Sequence, residues 1–429
     1  MQETLARLLY SILLRLATPL YFARLWWRGR REPAYREHWR ERLALGGPVA
    51  EPGALWLHAV SLGETRAAAA LLEALRARHP RLRLLLTHGT ATGREAGQAL
   101  LRDGDVQAWL PYDTPGAARR FLARHRPALG VLMETEVWPS LQFAAAAAGV
   151  PMMLANARLS ERSARRGARL RWLMGPAARS LTQVLAQTED DARRLREAGA
   201  PEVAVCGNVK FDMTPPAMAV ATGRGWRAGA ARPVVLAAST RQGEEGPLLQ
   251  AWAARPAPRP LLLLVPRHPQ RFDEVAMLVL AQGLELRRRS EWAAAPPDDA
   301  AQADVWLGDS MGEMPLYYGM ADAALLGGSF ARLGGQNLIE AAACGCPVVM
   351  GPHTFNFAEA AELAADARAA TRVDDIEAGV ARAFELVRAA ANDRARQREQ
   401  ALAFAATHRG AAARMAERIG QRLPTEAQA

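Results

Sequence analysis

The feature that most constrains this chain is a hydrophobic rhythm that runs once, lapses, and then starts again. Short apolar runs at 54–60, 82–87, 106–110, 128–133 and 151–154 read as strands, with further strands at 183–186 and 202–205. Helical patterns at 65–78, 92–101, 114–125 and 139–148 separate the earlier ones. Continuously apolar strands joined by helices need burial on both faces, which a parallel sheet between helices supplies. Over 215–230 large apolar anchors become scarce, and this stretch reads as the connection between domains. Strand signals then return at 234–238, 261–265, 285–288, 305–307, 323–326 and 347–350, followed by an alanine- and arginine-rich helical region over 376–419. The expected fold class is α/β, with two doubly wound, Rossmann-like domains facing across a deep cleft. A chain of 429 residues gives each domain enough length for its own core.

The N-terminus follows a different pattern. Residues 5–27 read LARLLYSILLRLATPLYFARLWW, apolar but interrupted by Arg7, Arg15 and Arg24, with Arg28, Arg30 and Arg31 beyond. The interruptions and the missing small-residue cleavage site argue against a signal peptide. Arg15 would lie near the middle of any bilayer span, at a high cost. The pattern fits a helix lying in a membrane surface, its arginines reaching phosphates; a helix packed on the first domain fits it as well. The expected organisation is a membrane-associated helix over 1–30, a first domain over 31–214, a second over 215–400, and a helix and tail over 401–429 that can brace the first domain.

Composition narrows the chemistry. The formal charge of +10 favours anionic surfaces or substrates. No helix-turn-helix, zinc module or RNA-binding signature points to nucleic acid, so no nucleic-acid partner is expected. Three cysteines make no disulfide framework, and Cys344-Gly345-Cys346 lacks the second cluster that a metal or redox site would need. The histidines His88, His125 and His268 are scattered and read as hydrogen-bonding or surface residues. There is no G-x-x-x-x-G-K-[ST] or G-x-G-x-x-G run, so neither an ATPase nor a dinucleotide dehydrogenase is expected. No metal and no cofactor is expected. Of the 54 basic residues, 53 are arginine and one is Lys210, in Cys206-Gly-Asn-Val-Lys-Phe-Asp-Met213. A compact ammonium and a planar guanidinium serve an anion differently, so this position invites a functional reading alongside the accident of an arginine-biased composition.

In open α/β sheets, ligands bind beyond the carboxyl ends of the strands. After the first strand comes His58-Ala-Val-Ser61-Leu-Gly63-Glu64-Thr65. Glu64 sits at the mouth of a helix, where the helix field should keep it ionised, as a base or as a capping residue. Glu134-Thr-Glu136-Val-Trp138 follows another strand and reads as a polar pocket wall or a loop anchor. In the second half the strand ends carry Arg241 and Arg267-His268, then Met311-Gly312-Glu313, Gly327-Gly328 and Gly334-Gly-Gln-Asn337-Leu-Ile-Glu340. Taken in order, these describe a nucleotide site: backbone amides and a helix N-terminus for phosphate, Glu340 for ribose hydroxyls.

The segments HAVSLGET (58–65), PYDTP (111–115), METEVWP (133–139), NARLSERS (156–163), GNVKFDM (207–213), PRHPQRFDEV (266–275), GDSMGEM (308–314), GGSF (327–330) and GGQNLIEAAACGCPVVMGPHTFNF (334–357) occur in order. Together they resemble the bacterial 3-deoxy-D-manno-octulosonic acid (Kdo) transferase family. The resemblance implies a glycosyltransferase-B fold and inverting transfer of Kdo from CMP-Kdo to a lipid A precursor. The setting would be the cytoplasmic face of the inner membrane, with its anionic surface as a further partner. It implies that Glu64 is the general base for the 6'-hydroxyl of the distal glucosamine, with Ser61, Gly63, Glu134 and Glu136 on the substrate side. Arg267, Met311, Gly312, Glu313, Gly328, Asn337 and Glu340 would hold the cytidine monophosphate, with Lys210 and Arg241 near its phosphate or the sugar carboxylate. Two departures stand out: Gln336 where the family often has His, and Ala341 where Pro commonly follows the glutamate. Glutamine can hydrogen-bond there but cannot titrate near neutrality. The alternatives are another nucleotide-sugar glycosyltransferase acting on an envelope lipid or glycan, and a noncatalytic membrane-bound nucleotide sensor.

Overall fold

A computed structural model describes residues 1–30, 32–292 and 295–424. Arg31 of the N-terminal basic cluster and residues 425–429 of the expected tail lie outside the described residues. The chain divides into two compact units, one formed by Met1–Asp212 with the segment from Arg409, the other by Met213–His408.

The first unit is built on seven strands: β1 (Leu55–His58), β2 (Leu84–His88), β3 (Val106–Trp109), β4 (Leu129–Met133), β5 (Met152–Ala157), β6 (Gln183–Ala186) and β7 (Val203–Val205). They form one sheet in the order β3-β2-β1-β4-β5-β6-β7, and every pairing is parallel. The strand order reverses between β1 and β4, so the loops after those two strands lie side by side at the topological switch point. All residues of β1, β2 and β4 are buried, as their mainly apolar spelling requires, and His58, Thr87 and His88 are buried polar residues at the strand ends. One face of the sheet is covered by the helix Leu62–Arg78 and by the C-terminal helix Ala411–Gly420, which contributes Ala411, Ala412, Met415, Ala416 and Ile419 to the core.

The second unit repeats the plan with β8 (Val234–Thr240), β9 (Leu261–Pro266), β10 (Leu286–Arg288), β11 (Val305–Leu307), β12 (Ala323–Leu326), β13 (Val348–Met350) and β14 (Ala370–Arg372). The order is β10-β11-β9-β8-β12-β13-β14, again all parallel, with the reversal between β8 and β12.

One sequence expectation needs correction, and two elements gain detail. The expected connection over 215–230 is largely a helix, Ala217–Gly229, packed within the second unit against the helix Met314–Met320. Its anchors are glycines: a Cβ on Gly223 would lie 2.0 Å from the Leu316 carbonyl oxygen, and one on Gly319 would lie 2.5 Å from that of Val220. Backbones that approach this closely need no large side chains, which is why the stretch reads as featureless. The helical region over 376–419 comprises three helices, Ile376–Arg388, Ala391–Thr407 and Ala411–Gly420. The last break falls at Gly410, whose φ of +94° is the left-handed conformation that glycine adopts freely. The edge strand β14, three residues long, was not anticipated.

Residues Gln2–Arg28 form one helix, long and apolar enough to cross a membrane by length and composition. One stripe is docked along its whole length. Glu3 pairs with Arg179, Arg7 stacks on Phe143, Tyr10 donates to Asp113, Tyr21 stacks on Tyr112, and Phe22 and Trp26 meet Trp39. The opposite stripe, with Leu5, Leu9, Leu13, Leu16, Leu20 and Trp27, is exposed.

Candidate active site

Because β1 pairs with β4, Glu64 and the Glu134–Trp138 loop emerge together at the switch point of the first sheet. Ser61 caps the helix Leu62–Arg78, accepting from the Glu64 amide at 3.4 Å. The Glu64 carboxylate turns back, accepting from the Val60 amide at 2.8 Å and the Ser61 hydroxyl at 3.0 Å. This is a variant of the capping box in which the carboxylate reaches the amide one residue before the N-cap, so the capping alternative is realised in the geometry. The carboxyl is nevertheless raised above its ordinary range, first by burial and then by Glu134, with the Val60 amide, Ser61 and Lys210 pulling the other way. The helix field favours the ionised form of Glu64, and burial opposes it.

Glu134 occupies a left-handed backbone conformation, φ +59°, held by hydrogen bonds from its amide to Ala155 and from the Arg158 amide to its carbonyl. Such a conformation is uncommon for a side-chain-bearing residue and turns the chain sharply off the end of β4. Its carboxylate meets Lys210 Nζ at 2.8 Å, both side chains being largely buried. The one lysine is thus paired with a strand-end carboxylate within the first unit. Glu136 is pushed up to about 7, by burial first and then by the like charges of Glu64 and Glu134. Three carboxylates and one ammonium thus share a small, partly desolvated volume.

Residues that the sequence reading left without a role hold Lys210 in place. Asn156, buried and itself left-handed at φ +52°, accepts from the Val209 amide at 3.1 Å. Gln187 donates to the Asn156 carbonyl and accepts from Asn208, while Asn208 caps the Lys210 amide. Two residues on, Asp212 accepts from the amides of Gly410 and Ala412 at 2.5 and 2.6 Å, capping the C-terminal helix. Asn156 and Asp212 lie in segments that carry the family resemblance, but nothing in their spelling discloses these partners.

In the second unit, Arg241 follows β8 and Arg267 follows β9, adjacent strands. His268 is lowered, by burial first and then by the positive charges of Arg241, Arg267 and Arg271, so these cations are gathered at one corner. A Cβ on Gly328 would lie 3.2 Å from Gln336 Nε2 and 3.7 Å from Arg241 Cγ, which brings Gly328, Gln336 and Arg241 together. Gly312 has φ +82° and open space around it, so it is needed for its conformation; Met311 beside it is exposed. Asn337 caps the short helix Leu338–Ala343, and Glu340 lies in that helix's first turn.

One expectation for this half is corrected. The amides of Gly328, Phe330 and Ala331, expected to cradle a phosphate, all donate to the buried Glu244, which also accepts from the Arg241 amide. An internal carboxylate already fills that nest. The Glu313 carboxylate likewise has partners of its own, Arg289 at 2.8 Å, Tyr317 at 3.0 Å and Ser310, so it orders its loop. Among the described residues, no group of three or more His, Cys, Asp or Glu side chains is placed to hold a metal ion.

Residues 37–213 match the family model of 3-deoxy-D-manno-octulosonic-acid transferase (kdotransferase). A 3-deoxy-D-manno-octulosonic acid transferase of Bordetella pertussis is 47% identical over 96% of this chain and 98% of its own length. The chain belongs to the Kdo transferase family. The corresponding Haemophilus influenzae enzyme is 34% identical over 88% of this chain and 90% of its own. A crystal structure of a glycosyltransferase from Rickettsia africae, 13% identical, covers 87% of this chain and 99% of its own with a TM-score of 0.57, which speaks to the glycosyltransferase-B fold alone. Within this Kdo transferase, the strand-end residues form two groups, Glu64, Glu134, Glu136 and Lys210 in the first unit and the Arg241, Arg267 and Gly328 corner in the second. Cys344 and Cys346 are buried free thiols, raised well above the ordinary range by burial, and fit packing.

Proposed function

We propose that this chain transfers Kdo from CMP-Kdo to the 6'-hydroxyl of the distal glucosamine of a lipid A precursor, with inversion and without a metal. The observation that carries this is Glu64, a partly desolvated carboxylate at the β1 end, beside Glu134, Glu136 and Lys210. As general base it removes the acceptor hydroxyl's proton as the oxygen attacks the anomeric carbon from the side opposite the departing phosphate. Raised basicity suits that task, because burial makes the carboxylate a better proton acceptor than an exposed glutamate. Ser61 and Gly63 shape the approach to the carboxylate; Glu134 and Glu136 line the acceptor side beside it.

The first unit serves as the acceptor domain and the second as the donor domain. Arg241 and Arg267 meet the donor's phosphate and carboxylate, and Asn337, Glu340 and the Met311–Glu313 loop flank its nucleoside. CMP is a competent leaving group, and guanidinium forks neutralise the charge that develops on it. Lys210 acts from the acceptor side through Glu134.

The N-terminal helix lies in the cytoplasmic face of the inner membrane. A stripe of Leu5, Leu9, Leu13, Leu16 and Leu20 faces outward, and the docked stripe opposite argues for an in-plane position over a span. An acyl-anchored acceptor is then met where it resides.

The test is Glu64→Gln, because glutamine preserves the capping box while removing the base. Transfer should fall by about two to four orders of magnitude with CMP binding intact. Turnover within a few fold of wild type would remove Glu64 from this role.

A further inference from the structure

Beside the edge strand β14 the second unit carries a bowl of about 660 Å³, within the range of small-molecule sites. Arg241 and Arg267 follow the more central strands β8 and β9. Four of the bowl's thirteen lining residues are arginines, Arg368, Arg372, Arg382 and Arg396, and none is a carboxylate. Arginine is 53 of 429 residues and Asp plus Glu 44, so the chain's overall bias does not produce that imbalance.

The arginines are unevenly committed. Arg372, Arg382 and Arg396 pair with Glu362, Glu385 and Asp393, carboxylates outside the bowl and well exposed to water. Exposed pairs of that kind hold weakly and yield to a better anion. Arg368 makes no ion pair among the described residues and has φ +55°, at a helix end where glycine is commonly found. Its amide and that of Ala369 are tied to Ala365 and Ala364, so the position is fixed. Arg382 also lines the bowl, and its Nε is buried without a hydrogen-bond partner among the described residues. Gln397 and Gln400 add neutral donors from the facing helix, and Val348 and Leu386 give an apolar floor.

We propose that this bowl binds a soluble small molecule carrying phosphate groups with two or more negative charges, separately from the donor site. Guanidinium forks match phosphate oxygens in pairs, and the floor accommodates an uncharged body. A concave site of this size suits a small ligand better than a flat lipid surface.

The test titrates inorganic pyrophosphate into the full-length protein at low salt by calorimetry. Wild type is compared with Arg368→Gln/Arg382→Gln and with Arg162→Ala/Arg165→Ala, which removes equal charge from an exposed helix of the first unit. CMP binding reports the fold and the donor site. The bowl variant should weaken pyrophosphate about tenfold or more, with the control pair and CMP binding unchanged. If the double variant does not fold, Arg396→Gln, an exposed change, is measured in the same way. Absence of binding to wild type, an unaltered bowl variant, or equal loss in the control pair would overturn the assignment. Anionic phosphatidylglycerol vesicles give the other arm: flotation should be unaffected by the bowl variant, and a loss there would assign these arginines to lipid instead.

Discussion

Replacing Glu64 with glutamine separates two roles of one carboxylate, the helix cap and the base. A cap is worth about 1 kcal/mol, so Glu64→Ala should lower both Tm and turnover, whereas Glu64→Gln should lower turnover alone. The kcat/KM profile should lose its acid side as Glu64 takes up a proton, at a pH above the ordinary glutamate range because burial raises this group. Glu136, at about 7 against an ordinary 4.5, favours the protonated form in the fold. Its contribution to stability is therefore full below about 4.5 and is lost as pH rises to about 7; Glu136→Gln should flatten that decline in urea titrations. The buried His58, at about 3 against an ordinary 6.5, runs the other way, its contribution being full above about 6.5 and lost as pH falls. Lys210→Ala strands Glu134 in a desolvated site and should cost about 3 kcal/mol, most of it recovered in the double variant with Glu134→Ala. Glu64 was legible from the sequence as a strand-end carboxylate in a Ser-x-x-Glu frame. Lys210 was legible as the chain's one lysine, but its partner was not, because the sheet order brings them together.

Among the elements, central strands such as β4, β9 and β12 were readable because burial on both faces leaves apolar runs. The helix Ala217–Gly229 was not, since close backbone contact is written in glycine, which also signals loops. Gly223→Ala should therefore destabilise the second unit by about 2 kcal/mol or more, through the clash with the Leu316 carbonyl. Gly225→Ala in the same helix, with nothing within 4 Å, should be neutral or stabilise by up to about 1 kcal/mol. Urea midpoints of the two variants provide the comparison. Glu244 escaped notice for a different reason. A carboxylate at the start of a helix reads as a surface residue, and only the fold reveals that it satisfies four amides of two loops.

For the whole molecule, the C-terminal helix supplies five core residues to the unit that begins the chain, and Asp212 caps it. The segment bearing Lys210 is thus fixed from both sides, by Asn156 and by the chain's last helix. At the other end, the docked and exposed stripes of Gln2–Arg28 predict that exchanging Leu9, Leu13 and Leu16 for glutamine abolishes flotation with anionic liposomes while CMP binding persists. The most direct measurement is mass spectrometry of products formed by the purified protein from CMP-Kdo and a tetraacylated lipid A precursor, with wild type and Glu64→Gln side by side. Kdo mass increments with wild type and almost none with Glu64→Gln are expected. Equal increments from both would contradict the base assignment, and none from wild type with CMP bound would contradict the proposed substrates.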